Sequence, residues 1–358
     1  MTYKIWNRLV VFLIAFLMLG IMLFNYIIDP YFVFNSPRYE GINKIKVTSI
    51  DSHMTKFYTA KRANPNVLLI GTSRIEHINP IHVEKYLSGK VYNLGLLGSG
   101  IDVQKRNIEY FIKNKNINTI ILSLDFFSFN PSNVSSNKLR FSNDFSDDYL
   151  DSLLSVSTLK RSIKTFKFNF KGVTQSVDYD SGWRSYRSNY KQIQKLGTQY
   201  TKNLLEKNIK KFSSQEVHFN NPKFLKPHAI DANLKVLADI ISICKSNNVA
   251  LHMFISPIYS EITDLIYKRG YGETYDYWKE SLASYENIYD FSGYNSITKD
   301  ISNYIDGSHY KDILSPLILA KVFKDKSVKI PHDFGVLLNK KTLKCVVDNQ
   351  NKRESINE

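Results

Sequence analysis

The fold of this chain is decided by the stretch VLLIGTSR, residues 67–74. Four consecutive apolar residues closed by a glycine are typical of a strand that is buried on both faces and ends in a tight turn. Two further short, largely apolar runs, VYNL at 91–94 and TIILSL at 119–124, also predict strands, with an amphipathic helix predicted between them at 101–115. Buried strands that alternate with helices predict βαβ units and a parallel sheet.

The same alternation returns in the second half of the chain, after a long interruption. Residues 126–227 are rich in Ser, Asn, Lys, Phe and Tyr and lack clean periodicity, which predicts an inserted cap with local helices around 187–211. The pattern after it predicts three helices and two strands: helices 229–247, 273–286 and 313–323, and strands 249–255 and 288–291. We therefore predict one α/β domain over 66–338 and a polar tail over 339–358.

The N-terminus has the composition of a membrane anchor. Residues 9–28 read LVVFLIAFLMLGIMLFNYII, a run long enough to cross a bilayer as a helix and longer than the apolar part of a signal peptide. A buried core helix is the less favoured alternative, because the run is terminal and apolar on all sides. Lys4 and Arg8 precede the run, which predicts a cytoplasmic N-terminus and an extracytoplasmic remainder. Residues 1–28 are the predicted anchor, and the polar, basic segment 29–65 is the predicted stalk.

The composition limits the class of partner. The chain has 358 residues, of which 43% are hydrophobic, so it can bury a large core and is not disordered throughout. Its 48 Lys and Arg residues against 33 Asp and Glu residues give a net charge of +15, which favours an anionic partner. Outside the membrane that partner is an acidic polymer or a lipid headgroup rather than a nucleic acid. Cys244 and Cys345 can form at most one disulfide.

Two short motifs carry candidate chemistry. Ser73 directly follows the first buried strand, where the crevice of a parallel sheet opens and backbone amides of the next helix are near. Asp306 and His309 are spaced so that the carboxylate can hold the imidazole Nδ1–H and leave Nε2 to take a proton from a hydroxyl group. A helix N-cap at Ser73 and a surface turn at Asp306 are the alternatives for each motif alone. Their occurrence in this order in one α/β chain favours a serine nucleophile.

With the glycine turn NLGLLG at 93–98, these motifs resemble the SGNH/GDSL hydrolase superfamily over roughly residues 66–125 and 229–325. The resemblance implies a three-layer, flavodoxin-like SGNH fold with a parallel sheet, here carrying an inserted cap and an N-terminal transmembrane helix. It also implies a catalytic triad of Ser73, His309 and Asp306. The oxyanion hole then consists of the backbone N–H groups of Ser73 and Gly98, with Gly95 a less favoured donor than Gly98.

The sequence departs from the family's pattern at its third block, Gly-x-Asn-Asp. The corresponding strand end reads LSLDF, residues 122–126, and contains neither that glycine nor that asparagine. Loss of one oxyanion donor lowers a rate by about 10²–10³. Arg74 is a candidate substitute, with a surface position or a substrate contact as the alternative, and Asp125 is a candidate substrate or oxyanion contact.

The overall pattern looks like the membrane-anchored branch that includes alginate O-acetylation proteins and the lipoteichoic acid D-alanylation protein. That resemblance implies an extracytoplasmic O-acyltransferase or esterase that acts on a cell-envelope polysaccharide or related polymer, without a cofactor, beside a multi-spanning membrane acyltransferase. The alternative is a non-catalytic envelope protein of the same fold that binds a polysaccharide or such an acyltransferase. We predict no metal site, because Pro80 breaks the helical register between His77 and His82 and Glu76 does not complete a zinc motif.

Overall fold

The structure, a computed structural model, describes residues 3–131, 149–172, 177–213 and 222–343. Within these residues one sheet is formed, and its order is β2-β1-β3-β4-β5-β6. The strands are β1 Val67–Gly71, β2 Val91–Gly95, β3 Thr119–Leu124, β4 Ala250–Ile255, β5 Ile288–Asp290 and β6 Val336–Leu337. Most of the tail predicted over 339–358, including Cys345, lies outside the described residues, as do parts of the predicted insertion.

The first five strands are parallel, and β6 pairs with β5 in the antiparallel direction. Every residue of β1, β2 and β3 is buried, so helices cover both faces of the sheet. The order of the first five strands, 2-1-3-4-5, is one of the two common orders of doubly wound sheets, in which the binding crevice opens between β1 and β3. The predicted α/β fold with a mostly parallel sheet is confirmed.

The helices agree with the sequence pattern where that pattern is periodic. Between β1 and β2, where Pro80 interrupts the pattern, the chain forms one 3₁₀ turn at Ile75–His77 and a four-residue helix at Pro80–Val83. The helices are α1 Tyr3–Ile28, α2 Thr48–Ala63, α3 Pro80–Val83, α4 Ile101–Asn114, α5 Tyr149–Leu154, α6 Val156–Phe170, α7 Arg187–Leu196, α8 Thr198–Ser213, α9 Asp231–Ser246, α10 Ser260–Lys268, α11 Gly272–Leu282 and α12 Ser315–Val322.

The chain forms two units, each with its own internal contacts. The described residues of Met1–Arg62 and Phe141–Val177 form one, which we call the anchor unit. Those of Ala63–Arg140 and Asp178–Glu358 form the other, the sheet unit. The predicted insertion 126–227 therefore contributes to both units, whereas the sequence suggested a single cap.

Helix α1 has 26 residues and a mean hydropathy of 2.6 over its most apolar window, and among the described helices it is the one long and apolar enough to cross a membrane. At about 1.5 Å per residue it spans about 39 Å, more than the roughly 30 Å hydrocarbon core of a bilayer. Its last turns are packed by α5 and α6. Asn25 explains this packing, because its amide donates to the Leu153 carbonyl at 2.7 Å and its carbonyl accepts from the Ser162 hydroxyl at 2.8 Å. A polar side chain in an apolar helix needs such partners.

We expect the central strand β3 to carry much of the stability of the sheet unit. Ile121 is fully buried, so Ile121→Ala should lower the free energy of unfolding by about 2–5 kcal/mol through lost burial and a residual cavity. Ile81, which is 63% exposed, is the matched control, and Ile81→Ala should change stability by less than about 0.5 kcal/mol. Urea unfolding of the detergent-solubilised chain, followed by far-UV circular dichroism, measures both. Equal effects would contradict the assignment of Ile121 to the core.

Candidate active site

The turn after β1 presents Ser73. Strand β1 ends at Gly71, and residues 72–74 turn into the 3₁₀ helix 75–77. A Cβ atom on Gly71 would lie 2.9 Å from Ser123 Cβ of β3 and 3.1 Å from the Ser123 carbonyl, so only glycine lets the two strands approach this closely. Ser73, two residues later, is only partly buried and lies at the carboxyl edge of the sheet.

The loop before α12 holds His309. The Asp306 carboxylate accepts hydrogen bonds from the backbone N–H groups of Ser308 at 3.1 Å and His309 at 2.9 Å. These two bonds close a tight turn around the side chain of Asp306, the first residue of the turn. The Ile305 N–H donates to the His309 carbonyl at 2.8 Å and closes the base of the loop. The imidazole is therefore fixed by its own sequence neighbourhood.

The two turns meet, although 236 positions separate their key residues. Ser73 Oγ lies 2.8 Å from His309 Nε2, and His309 Nδ1 lies 2.9 Å from both carboxylate oxygens of Asp306. Burial raises the pKa of Asp306, but the charge of His309 and the hydrogen bonds that His309 donates lower it by a larger amount. The resulting pKa is about 2. An ionised carboxylate can only accept hydrogen bonds, so Nδ1 carries the proton and Nε2 is left to accept one from Ser73.

The predicted oxyanion donors are the backbone N–H groups of Ser73 and Gly98. The pairing of Gly71 with Gly95, and the bond of 3.0 Å from the Leu96 N–H to the Gly71 carbonyl, place the turn after β2 beside the turn after β1. Gly98 in that turn is exposed and has φ +60°, a conformation that favours glycine. Across the described ranges, neither the Ser73 nor the Gly98 backbone N–H has a hydrogen-bond acceptor. Both can therefore donate to a developing negative charge.

Arg74 is a buried brace. Its Nη1 lies 3.0 Å from Asp125 Oδ1, its Nε donates to the Ser308 carbonyl at 3.0 Å, and its Nη2 donates to Ser308 Oγ at 2.9 Å. All three guanidinium nitrogens thus have protein partners that link the ends of β1 and β3 to the His309 loop. The predicted oxyanion or substrate contact of Arg74 stays a prediction, and its guanidinium is engaged in this linkage.

Asp125 lies at the end of β3 with its side chain only 1% exposed. Besides its ion pair with Arg74, it accepts a hydrogen bond from the Thr72 hydroxyl. The carboxylate therefore fixes the residues on both sides of Ser73, and no contact joins it to His309 in the described structure. Its predicted contact with substrate also stays a prediction.

A small cavity of about 10 Å³ adjoins the Arg74–Asp125 pair at the carboxyl ends of β3 and β4. Its walls are mainly apolar and aromatic, and they include Phe127, Ile258 and Trp278. This volume has room for about one water molecule.

The sequence did not predict the aromatic rings that pack behind His309. His77 is buried, its ring centroid lies 5.5 Å from that of His309, and it stacks on Tyr186 at 4.3 Å. Neither ring nitrogen of His77 has a hydrogen-bond partner in the described ranges. Burial, followed by repulsion from the His309 charge, holds the pKa of His77 well below its ordinary value, so the ring is neutral.

Glu76, beside His77, is also buried, and it pairs with Arg184. Arg184 Nε lies 2.9 Å from Glu76 Oε2 and brings the segment before α7 against the turn after β1. His82 is engaged elsewhere, with its Nδ1 3.0 Å from Ser315 Oγ. The described residues contain no group of three His, Cys, Asp or Glu side chains placed for a metal. An ion pair between positions 76 and 184 cannot be recognised from a single sequence, because the two residues are far apart in the chain.

No protein-family model matches this chain, and no curated protein matches it at a significant score. The motifs and the geometry described above are therefore the basis for any functional assignment.

We expect the Arg74–Asp125 pair to be strongly coupled. Asp125→Ala leaves a buried guanidinium without its carboxylate and should cost about 3–5 kcal/mol of unfolding free energy. In the double variant Arg74→Met/Asp125→Ala, the loss should be clearly smaller than the sum of the two single losses. A double-mutant cycle by urea unfolding measures the coupling. Additive losses would show that the pair does not act as a brace.

The Asp306 carboxylate should make stability depend on acid. Its pKa is about 2 in the folded chain against about 3.9 for an unfolded one, so the stabilisation is present above about pH 4 and is lost as the pH falls towards 2. The stability difference between wild type and Asp306→Asn should therefore shrink over this range. Unfolding titrations at several pH values measure it, with the exposed Asp180→Asn as control. A difference that does not change between pH 5 and pH 2 would contradict the lowered pKa.

Proposed function

We propose that this chain is a membrane-anchored, extracytoplasmic serine O-acyltransferase or esterase of the SGNH type. The observation that carries the proposal is the unbroken hydrogen-bonded series from Ser73 through His309 to Asp306. Nucleophile, base and orienting carboxylate lie within hydrogen-bonding distance in the order that acyl transfer requires.

The proposed reaction begins with an acyl ester in the crevice. Ser73 Oγ attacks the carbonyl carbon while its proton passes to His309 Nε2, and Asp306 stabilises the imidazolium. The N–H groups of Ser73 and Gly98 bind the oxyanion of the tetrahedral intermediate. His309 then gives its proton to the departing alkoxide, the ester C–O bond breaks, and the acyl group remains on Ser73.

In the second half-reaction His309 deprotonates an acceptor hydroxyl, which attacks the acyl-serine and releases Ser73. Water as acceptor makes the protein an esterase, and a sugar or polymer hydroxyl makes it a transferase. We favour polymer transfer because of the anchor and the strongly basic composition.

The strand order supports the finer fold assignment, a three-layer flavodoxin-like SGNH fold. The nucleophile lies after β1, the glycine turn after β2 and the His309 loop after β5, all on the carboxyl side of the parallel strands. This is the edge at which doubly wound sheets bind their ligands.

The oxyanion hole of the proposed enzyme lacks the usual asparagine. Asp125 follows β3 instead, and a carboxylate cannot donate a hydrogen bond when ionised. With two backbone donors in place of three groups, turnover is expected to be lower by about 10²–10³. The same departure favours the alternative function, a non-catalytic SGNH-type envelope protein that binds a polysaccharide or a membrane acyltransferase.

The location we propose follows from α1. Lys4 and Arg8 hold its N-terminus in the cytoplasm, α1 crosses the inner membrane, and the sheet unit lies outside. The net charge of +15 suits an acidic envelope polysaccharide or related polymer as acyl acceptor, with a multi-spanning membrane acyltransferase as the partner that supplies the acyl group.

A fluorophosphonate probe tests for an activated serine. We expect the full-length chain in detergent to be labelled, Ser73→Ala to abolish labelling, and His309→Ala to slow it by about 10²–10⁴-fold through loss of the general base. Ser188→Ala, at an exposed serine of the same unit, is the matched control and should label like wild type. Absence of labelling in a folded wild-type chain that still binds envelope polymer would favour the non-catalytic alternative.

The ester content of envelope polysaccharides separates the two enzymatic options. Cells that carry Ser73→Ala in place of wild type should show fewer O-acyl esters if the protein is a transferase and more if it is an esterase. Quantifying acyl groups released by mild base measures this. An unchanged ester content would argue against both options.

A further inference from the structure

Helix α6 of the anchor unit is amphipathic with its polar side inward. Its buried residues are all polar: Thr158, Ser162, Thr165 and Asn169. Four of its six large apolar residues are exposed, at 66% for Val156, 41% for Ile163, 39% for Phe166 and 79% for Phe170, and the other two, Leu159 and Phe168, are half-buried. A surface helix in water shows the opposite arrangement.

Hydrogen bonds explain why the polar side faces inward. Ser162 Oγ donates to Asn25 of α1 at 2.8 Å. Further along α6, Asn169 accepts from the Ile45 N–H at 2.8 Å and donates to the Ile45 carbonyl at 2.7 Å. The helix is thus tied to α1 and to the segment after it by polar contacts, and its apolar side is left outward.

The position along α1 places α5 and α6 at the end of the apolar run. Asn25 lies within one turn of the last residue of α1, Ile28. At the start of α5, the Tyr149 ring lies 5.9 Å from Phe34, which in turn lies 5.5 Å from Tyr26 of α1. Aromatic side chains are enriched at this depth, where the hydrocarbon core gives way to headgroups.

The three sides of α6 match three environments at this depth: neighbouring protein, acyl chains and lipid phosphate groups. At about 100° per residue, the exposed apolar residues fall within an arc of about 80° that adjoins the docked polar side. The cations Lys160, Arg161, Lys164 and Lys167 occupy the remaining side, and α6 contains no acidic residue. On α5, Leu150 and Leu154 add exposed apolar surface at 63% and 39%. This is the composition of a helix that lies in a membrane interface.

We propose that α5 and α6 lie in the leaflet at the C-terminal end of α1, with the apolar arc buried among acyl chains and the lysines at the phosphate groups of anionic lipids. The occupant of the apolar face is thus the bilayer itself, whose contact continues from the exposed apolar surface of α1. The inference rests on the proposed crossing of the membrane by α1, and it does not depend on the chemistry of Ser73.

Spin-label accessibility in proteoliposomes of phosphatidylglycerol and phosphatidylcholine tests this placement. In the full-length chain with Cys244→Ala and Cys345→Ser, a nitroxide is attached at Ile163→Cys or, independently, Phe166→Cys. We expect high accessibility to oxygen and low accessibility to a water-soluble nickel complex, with a ratio of the two several-fold above that of the control. The control is Lys160→Cys on the cationic side of the same helix. Leu13→Cys in α1 reports on the anchor.

The outcomes separate this inference from the proposed anchor. Labels at 163 and 166 that are open to the nickel complex, with a lipid-embedded label at 13, would overturn the inference and leave the anchor intact. Labels shielded from both reagents would show that protein covers the face, a second copy or another membrane protein, and would also overturn it. A label at 13 that is open to the nickel complex would overturn the anchor and the inference together.

Discussion

The buried ion pair between Arg74 and Asp125 is the interaction on which the arrangement around Ser73 depends. The guanidinium joins the turn after β1, the end of β3 and the loop that carries His309, regions up to 234 positions apart. The ring contact of His77 with His309 and the hydrogen bond between Ser73 and His309 also join these two regions. A charged pair in a low-dielectric setting is costly to bury, and its geometry is correspondingly strict. Strict geometry is what a nucleophile and its base require.

The sequence allowed much of the sheet unit to be predicted, because its signals are local. Short, largely apolar runs indicated β1 and β2, and the Asp-x-x-His spacing indicated a loop that is closed by hydrogen bonds to its own aspartate side chain. The helix α10 was missed, since Ser260–Lys268 follows closely after β4 and its acidic and basic residues obscure a short apolar face. The strand β6 was missed because two residues carry no period.

Other features could not be predicted because they are decided by tertiary contact. The pair of Glu76 with Arg184 and the stacking of Tyr186 on His77 join residues about a hundred positions apart. The assignment of the insertion to two units follows from Asn25, whose partners lie in α5 and α6. In the sequence, Asn25 is a single polar residue in an apolar run, which indicates that it needs a hydrogen-bond partner. The sequence does not indicate which residue that partner is.

The ties from Asn25 to residues 128 and 137 positions later set an order of events during synthesis. The first helix emerges from the ribosome long before Leu153 and Ser162 exist, and the first three strands of the sheet are made in between. Until those partners are synthesised, the Asn25 amide must form its hydrogen bonds with other groups. Completion of the anchor unit is therefore one of the later steps of folding, although this unit contains the first helix of the chain.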